Sequence, residues 1–239
     1  NVTKSDDAAK RKFFSTMRLW ERLSRYDNIC RLYGACYFTT TPFVIMDYCD
    51  KGPLDKFLRQ DEINRSTLSL EILSQAAQAV SKMHSIGIVH GDLKCDNILV
   101  WGNTQVKICD FDRSFDWSAM KDRRLVNGTA VAAGIAITDA VRYLAPECVR
   151  GMLPSTKSDV YSFGMALYHA LMGGSPYADI SSDEELRTCK LCGELPSRDV
   201  QLISDGAWKL ITQCCDSTPD QRPTIEKVIA ALRSLLSQQ

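Results

Sequence analysis

The chain has 239 residues, with 29 basic and 29 acidic side chains, a formal net charge of zero and 45% hydrophobic content. That length can bury one large core or two lobes, and the even charge argues against nucleic acid or an anionic membrane surface as a partner. No apolar run approaches the roughly 20 residues that span a bilayer, and no charged-then-apolar leader opens the chain, so no membrane insertion and a cytoplasmic setting are expected.

In residues 8–25, Phe13, Met17, Trp20 and Leu23 recur at spacings of four, three and three, one stripe of an amphipathic helix. Strand-like runs at 30–38 and 43–48, separated by a turn-prone TTTP, predict a hairpin. Lys51-Gly52-Pro53 breaks the chain. A short helix is expected over 54–59, and Ile72, Ala76, Val80 and Met83 trace a longer one that stops near Gly87. The short apolar stretches IV, ILV and VKIC between 88 and 111 read as small strands carrying loops, where sites tend to sit. Residues 159–172 are apolar almost all round, which predicts a helix inside the core. Helices at 206–215 and 224–236 complete the chain.

Ten cysteines are scattered from position 30 to 215 in a chain too long to need staples, so reduced thiols are expected. Cys189 and Cys192 form a C-x-x-C, followed by Cys214 and Cys215, but adjacent cysteines without a nearby histidine do not match zinc-ligand spacing. The N-x-S/T triplets at Asn1, Asn64 and Asn127 are read as chance. The chain opens on asparagine, which suggests a piece of something longer.

Residues 88–100, IVHGDLKCDNILV, crowd one histidine, two aspartates, a lysine and an asparagine between two apolar runs. Asp92 and Asn97 could simply be turn residues bonding their own backbone. The wider pattern argues for chemistry: HGDLKCDN at 90–97 resembles the catalytic loop of the protein kinases, Asp110-Phe111-Asp112 stands where that family has D-F-G, and Ala145-Pro146-Glu147 matches its A-P-E. DVYSFG at 159–164 and Arg222-Pro223 resemble further landmarks, and LYGAC, HGDLKCDNILV and SDVYSFG are similar to the tyrosine-kinase-like group.

The resemblance implies an α+β, bilobal kinase-like fold. Residues 1–50 would form a partial small lobe of one helix, two strands and hinge; residues 51–239 would form a large, mainly helical lobe. It implies transfer of the ATP γ-phosphate to a serine or threonine hydroxyl of a protein substrate, with Mg²⁺ as cofactor and flanking regulatory domains in a longer chain. Asp92 would accept or orient the hydroxyl proton, with Lys94 near the transferred phosphate. Asn97 and Asp110 would be hard-oxygen ligands to magnesium. Met46 would be the gatekeeper, the backbone of Asp47 and Cys49 would pair with adenine, Leu99 would floor it, and Lys4, at the end of a remnant strand, would reach the phosphates. His90 is expected as scaffold packed on Phe111. Asp159 should be satisfied by backbone N–H groups of the catalytic loop, because an unpaired buried carboxylate is costly. Glu147 and Arg222 are expected to pair.

The sequence departs from the family pattern in five places. Its first glycine is Gly34, so the Gly-rich loop and first strands are absent from this chain. The acid that should pair with Lys4 falls near Thr16, and Glu21 points elsewhere on the helix. Gly91 replaces the arginine that captures a phosphorylated activation loop. Asp112 replaces a glycine, with a backbone cost expected there and its carboxylate facing solvent. The activation segment, 116–140, is long and offers Ser118, Thr129 and Thr138 as acceptors, with Asp139-Ala140 in place of a glycine-threonine pair. The other reading of these losses is a pseudokinase serving as a binding or scaffolding module.

Overall fold

The computed structural model describes residues 4–39, 41–60, 65–117 and 139–238. Its first element, α1 (Lys4–Leu23), buries Trp20 and Leu23 of the expected stripe, with Leu19 beside them, and half-buries Phe13 and Met17. Lys4 is the first described residue of this helix, which corrects its reading as the end of a strand. The run KSDDAAKRK explains it: alanine, lysine and arginine are strong helix formers, and aspartates suit the positive N-terminal end of the helix dipole.

Beyond α1 the chain folds back beneath the helix, where the Trp20 indole N–H donates to the Cys30 carbonyl at 2.6 Å. β1 (Leu32–Cys36) and β2 (Phe43–Met46) form the antiparallel hairpin, with Leu32 opposite Met46 and Cys36 opposite Phe43. The first strand is shorter than the expected 30–38, and just before it Ile29 forms a parallel bridge with Ile108.

A second sheet runs in the order β3–β5–β6, from β3 (Gly52–Pro53), β5 (Ile98–Trp101) and β6 (Gln105–Ile108). A two-stranded ladder pairs β4 (Ile88–Val89) with β7 (Phe115–Asp116). These short ladders lie against the helical part: α2 (Leu54–Leu58), α3 (Arg65–Ser85), α4 (Pro146–Val149), α5 (Thr156–Met172), α6 (Asp183–Cys192), α7 (Asp205–Cys214) and α8 (Ile225–Leu236). The fold is therefore α+β, with a small partial lobe and a mainly helical one.

α5 is the axis of the helical part. Ser155 and Ser158 cap its start reciprocally, Ser158 N–H donating to Ser155 Oγ at 3.2 Å and Ser155 N–H to Ser158 Oγ at 2.7 Å. Every residue from Ser158 to Leu171 is buried, as its all-round apolar pattern requires. α3 packs on α5 and α8, and α5 on α7. At Gly164 a Cβ would lie 2.6 Å from Cys215 Sγ, so glycine allows α5 and α7 to approach closely.

α6 was not anticipated. Its first turn is Asp183-Glu184-Glu185, capped by Ser182, and only Leu186 and Lys190 are buried, too sparse a stripe to register as a period. The C-x-x-C lies on this helix. Among the described residues no group of three or more His, Cys, Asp or Glu is arranged to hold a metal ion, and no helix is long and apolar enough to cross a membrane.

Candidate active site

β4 delivers the chain to His90, Gly91 and Asp92 in a backbone path that needs glycine. Gly91 has φ +79, and a Cβ there would sit 2.7 Å from the Arg113 carbonyl oxygen. The path is held from below by the Asp159 carboxylate, 1% exposed, which accepts the His90 and Gly91 N–H groups at 2.9 Å each. His84 Nε2 lies 2.9 Å from the same carboxylate. Asp159 thus has the partners expected, plus a histidine that was not.

Asp92 is 9% exposed. Its N–H meets His90 Nδ1 at 3.2 Å, and its carboxylate lies 3.4 Å from Lys94 Nζ. The Asn97 side-chain amide donates to the Asp92 carbonyl at 2.8 Å and to its carboxylate at 3.3 Å. With Nδ2 committed in this way, Asn97 Oδ1 remains as a hard-oxygen donor. A 3-10 turn, Cys95–Asn97, holds Asn97 at the mouth of β5.

The Asp110 segment is tied to this loop by the main chain, through the Cys109 N–H donating to the Asn97 carbonyl at 3.0 Å. His90 Nε2 lies 3.1 Å from the Cys109 carbonyl, and Ser114 Oγ donates to the His90 carbonyl at 2.8 Å. Phe111, 1% exposed, packs between Trp20 (centroids 5.3 Å apart) and His90 (5.5 Å). That burial fixes the residue before it: Asp110 adopts φ +61 and presents an exposed carboxylate. The left-handed residue of the triplet is thus Asp110, and Asp112 avoids the strain expected of it. Asp112 is exposed, and its N–H reaches Asp110 Oδ1 at 3.4 Å.

A cleft of about 510 Å³ opens between α1, β2 and this triplet, lined by Phe13, Met17, Trp20, Met46, Cys109 and Asp110 among others. At its edge, Asp47 follows Met46 and turns its carboxylate onto three donors: Lys107 Nζ at 2.5 Å, the Arg31 N–H at 2.8 Å and the Tyr33 hydroxyl at 2.9 Å. Burial alone would raise the Asp47 carboxyl; the three donors outweigh it and hold it below the usual carboxylate range. Among the described residues no hydrogen bond engages the Asp47 carbonyl or the Cys49 N–H.

The structure therefore brings Asp92, Lys94 and Asn97 into contact and joins them to Asp110 by the backbone, with Met46 across the cleft. Leu99, half-buried on β5 opposite Lys107, and Cys49, buried, flank the cleft without lining it. The Lys4 side chain lies outside the described residues, as do Ser118, Thr129 and Thr138. Thr16 is buried and Glu21 exposed, so no acid of α1 takes the place read for it near Thr16. The expected Glu147–Arg222 pair is present as a buried two-pronged bridge at 2.6 and 2.8 Å. Trp20 as the cover of Phe111, and Lys107 and Tyr33 as clamps on Asp47, were not foreseen. Trp20 sat in the helical stripe, but nothing local indicated what it would touch.

A family model described as protein tyrosine and serine/threonine kinase matches residues 2–232. One Dictyostelium discoideum protein named a probable serine/threonine-protein kinase is 32% identical over 220 residues, 90% of this chain and 20% of that protein. A second from the same organism is 29% identical over 219 residues, 89% of this chain and 13% of the relative. An aurora kinase of Schizosaccharomyces pombe is 28% identical over 209 residues, 86% of this chain and 54% of the relative. The chain thus spans a fifth or less of the Dictyostelium relatives and about half of the yeast one. With a match from end to end and the catalytic-loop geometry in register, the chain belongs to the protein tyrosine and serine/threonine kinase family.

Proposed function

We propose that this chain is the phosphotransferase domain of a cytoplasmic serine/threonine-directed protein kinase of the tyrosine-kinase-like group, acting on a protein hydroxyl with Mg-ATP. The observation that carries it is the joined pair of clusters: Asp92 held by Asn97 and Lys94, and Asn97 bonded through its backbone to the residue before Asp110. Phosphoryl transfer asks a protein mainly for alignment and charge stabilisation, and these groups supply both.

Asp92 accepts or orients the substrate hydroxyl proton, with its carboxylate fixed by the Asn97 amide. Lys94, 3.4 Å from that carboxylate, stands beside the phosphate in transfer. Asn97 Oδ1 and the Asp110 carboxylate are the hard-oxygen pair that suits magnesium, which keeps several waters and takes one or two side chains plus nucleotide phosphates. When bound, the ion neutralises charge developing on the phosphate oxygens. Met46 bounds the adenine side of the cleft, the Asp47 carbonyl and Cys49 N–H face the base, Leu99 closes beneath it, and Lys4 is assigned to the phosphates. We place the lobe boundary near Lys51, giving units of 1–50 and 51–239, with flanking regulatory domains in the longer protein.

The test compares ATP-dependent phosphorylation by the protein and by its Asp92→Asn variant. Activity should fall at least 100-fold in the variant while a Mg-ATP thermal shift persists; equal activity in both removes Asp92 from its role.

A further inference from the structure

Three cysteines from three separate segments meet at the back of the cleft. Cys30 follows Ile29, whose parallel bridge to Ile108 makes Cys30 and Cys109 the next residues in register. The Cys30 N–H donates to the Ile108 carbonyl at 2.9 Å, and the Ile108 N–H to the Asn28 carbonyl at 2.9 Å. Neighbouring residues in parallel register point to the same face with backbones about 4.8 Å apart, inside the roughly 4.4–6.8 Å Cα separation a disulfide accepts. The Cys30 thiol has the Cys109 and Cys49 thiols as neighbours, Cys49 lying in the segment after β2. The three are 0%, 7% and 8% exposed at Cys30, Cys109 and Cys49, and Cys109 lines the cleft.

We propose that Cys30, Cys49 and Cys109 form an oxidation site, in which a peroxide entering the cleft converts the Cys30 and Cys109 thiols to a disulfide that ties the residue before Asp110 to the loop after α1. The step balances in two stages. The peroxide transfers oxygen to the cleft-lining Cys109, giving a sulfenic acid and releasing the reduced peroxide as water or alcohol. Cys30 sulfur then attacks that sulfur, an S–S bond forms, hydroxide leaves and takes up the Cys30 proton as water. Two thiols lose two electrons and the O–O bond gains them. Cys49, the other thiol neighbour of Cys30, is placed to exchange into the bond. The neighbouring Cys109 thiol and burial push the Cys30 thiol above its ordinary range, so at rest it is a protonated thiol.

The functional consequence rests on the kinase reading of the cleft: the new bond draws Cys109 toward Cys30 and with it the backbone that holds Asp110 at φ +61. The experiment exposes the protein to hydrogen peroxide, with and without Mg-ATP, and quantifies peptides by mass spectrometry under non-reducing conditions. A Cys30–Cys109 linked peptide that dithiothreitol removes, that is lost in Cys30→Ala and rises in Cys49→Ala, is expected, together with at least a tenfold loss of phosphoryl transfer that dithiothreitol restores. Oxidation confined to the exposed Cys192, or sulfinic acid at Cys109 without a linked peptide, overturns the proposal. The linked peptide needs no nucleotide, so its appearance without any effect of Mg-ATP on its yield supports the oxidation site while counting against the nucleotide reading.

Discussion

The Asn97 side chain reaches back five residues to grip Asp92 twice, at the carbonyl and at the carboxylate, while the Asn97 main-chain carbonyl accepts from the Cys109 N–H. One buried residue therefore orients the proposed base through its side-chain amide and ties the two halves of the metal site through its backbone. Because both partners stay buried when the amide is removed, the loss should register in stability as well as in chemistry.

Asn97→Ala leaves the Asp92 carbonyl without its donor, which costs about 1–3 kcal/mol for an unsatisfied buried acceptor. Urea unfolding should show that decrease, and phosphoryl transfer should fall at least 100-fold at saturating magnesium. A variant that regained full activity on raising magnesium tenfold would mean that Asn97 only tunes metal affinity.

Asp159→Asn replaces one of two oxygens that accept the His90 and Gly91 N–H groups with an amide donor. A hydrogen bond to a charged group is worth about 1.5–3 kcal/mol, and that is the expected cost of this change. The midpoint of denaturant unfolding should drop accordingly. Hydrogen exchange at residues 90 and 91 should accelerate more than in α8, which marks the loop rather than the whole core as the first part to loosen.

Restoring a side chain at position 91 should harm the protein. Gly91→Arg forces a left-handed residue whose Cβ meets the Arg113 carbonyl at 2.7 Å, and non-glycine strain of this kind costs about 1–3 kcal/mol. Gly91→Ala should show most of the same loss in thermal unfolding, since the clash is at Cβ; a neutral alanine variant would show that the loop relaxes freely.

Lys190 has no exposed surface. It donates to the Leu144 carbonyl at 2.9 Å and sits 4.8 and 4.9 Å from the Tyr161 and Tyr177 rings. Burial lowers it to about 7 from 10.5. A lysine with a lowered folded-state value binds fewer protons folded than unfolded between about pH 7 and 10.5, so its penalty is full below 7 and fades as pH rises. Unfolding free energy of the protein should therefore climb relative to Lys190→Met by up to about 1 kcal/mol per pH unit from pH 7 to 9. Parallel curves would show that the rings and carbonyl keep the ammonium charged.

Much of this protein was legible because its determinants are local. The 3.6 period of Phe13, Met17, Trp20 and Leu23, the all-round apolar run of α5 and the glycine stops depend on neighbours a few residues away. The catalytic-loop pattern named its own chemistry, and the buried demands of Asp159 and Arg222 could be inferred from what such groups require. Tertiary packing decided the rest. It joined Trp20 to Phe111 and Lys107 to Asp47, put the left-handed strain on Asp110 and not Asp112, and hid Lys190 beneath two tyrosines on a helix whose charged surface concealed its period. The gathering of Cys30, Cys49 and Cys109 has the same origin. These contacts link segments far apart in sequence, and their energy comes from burial and register that exist only once the chain has closed on itself.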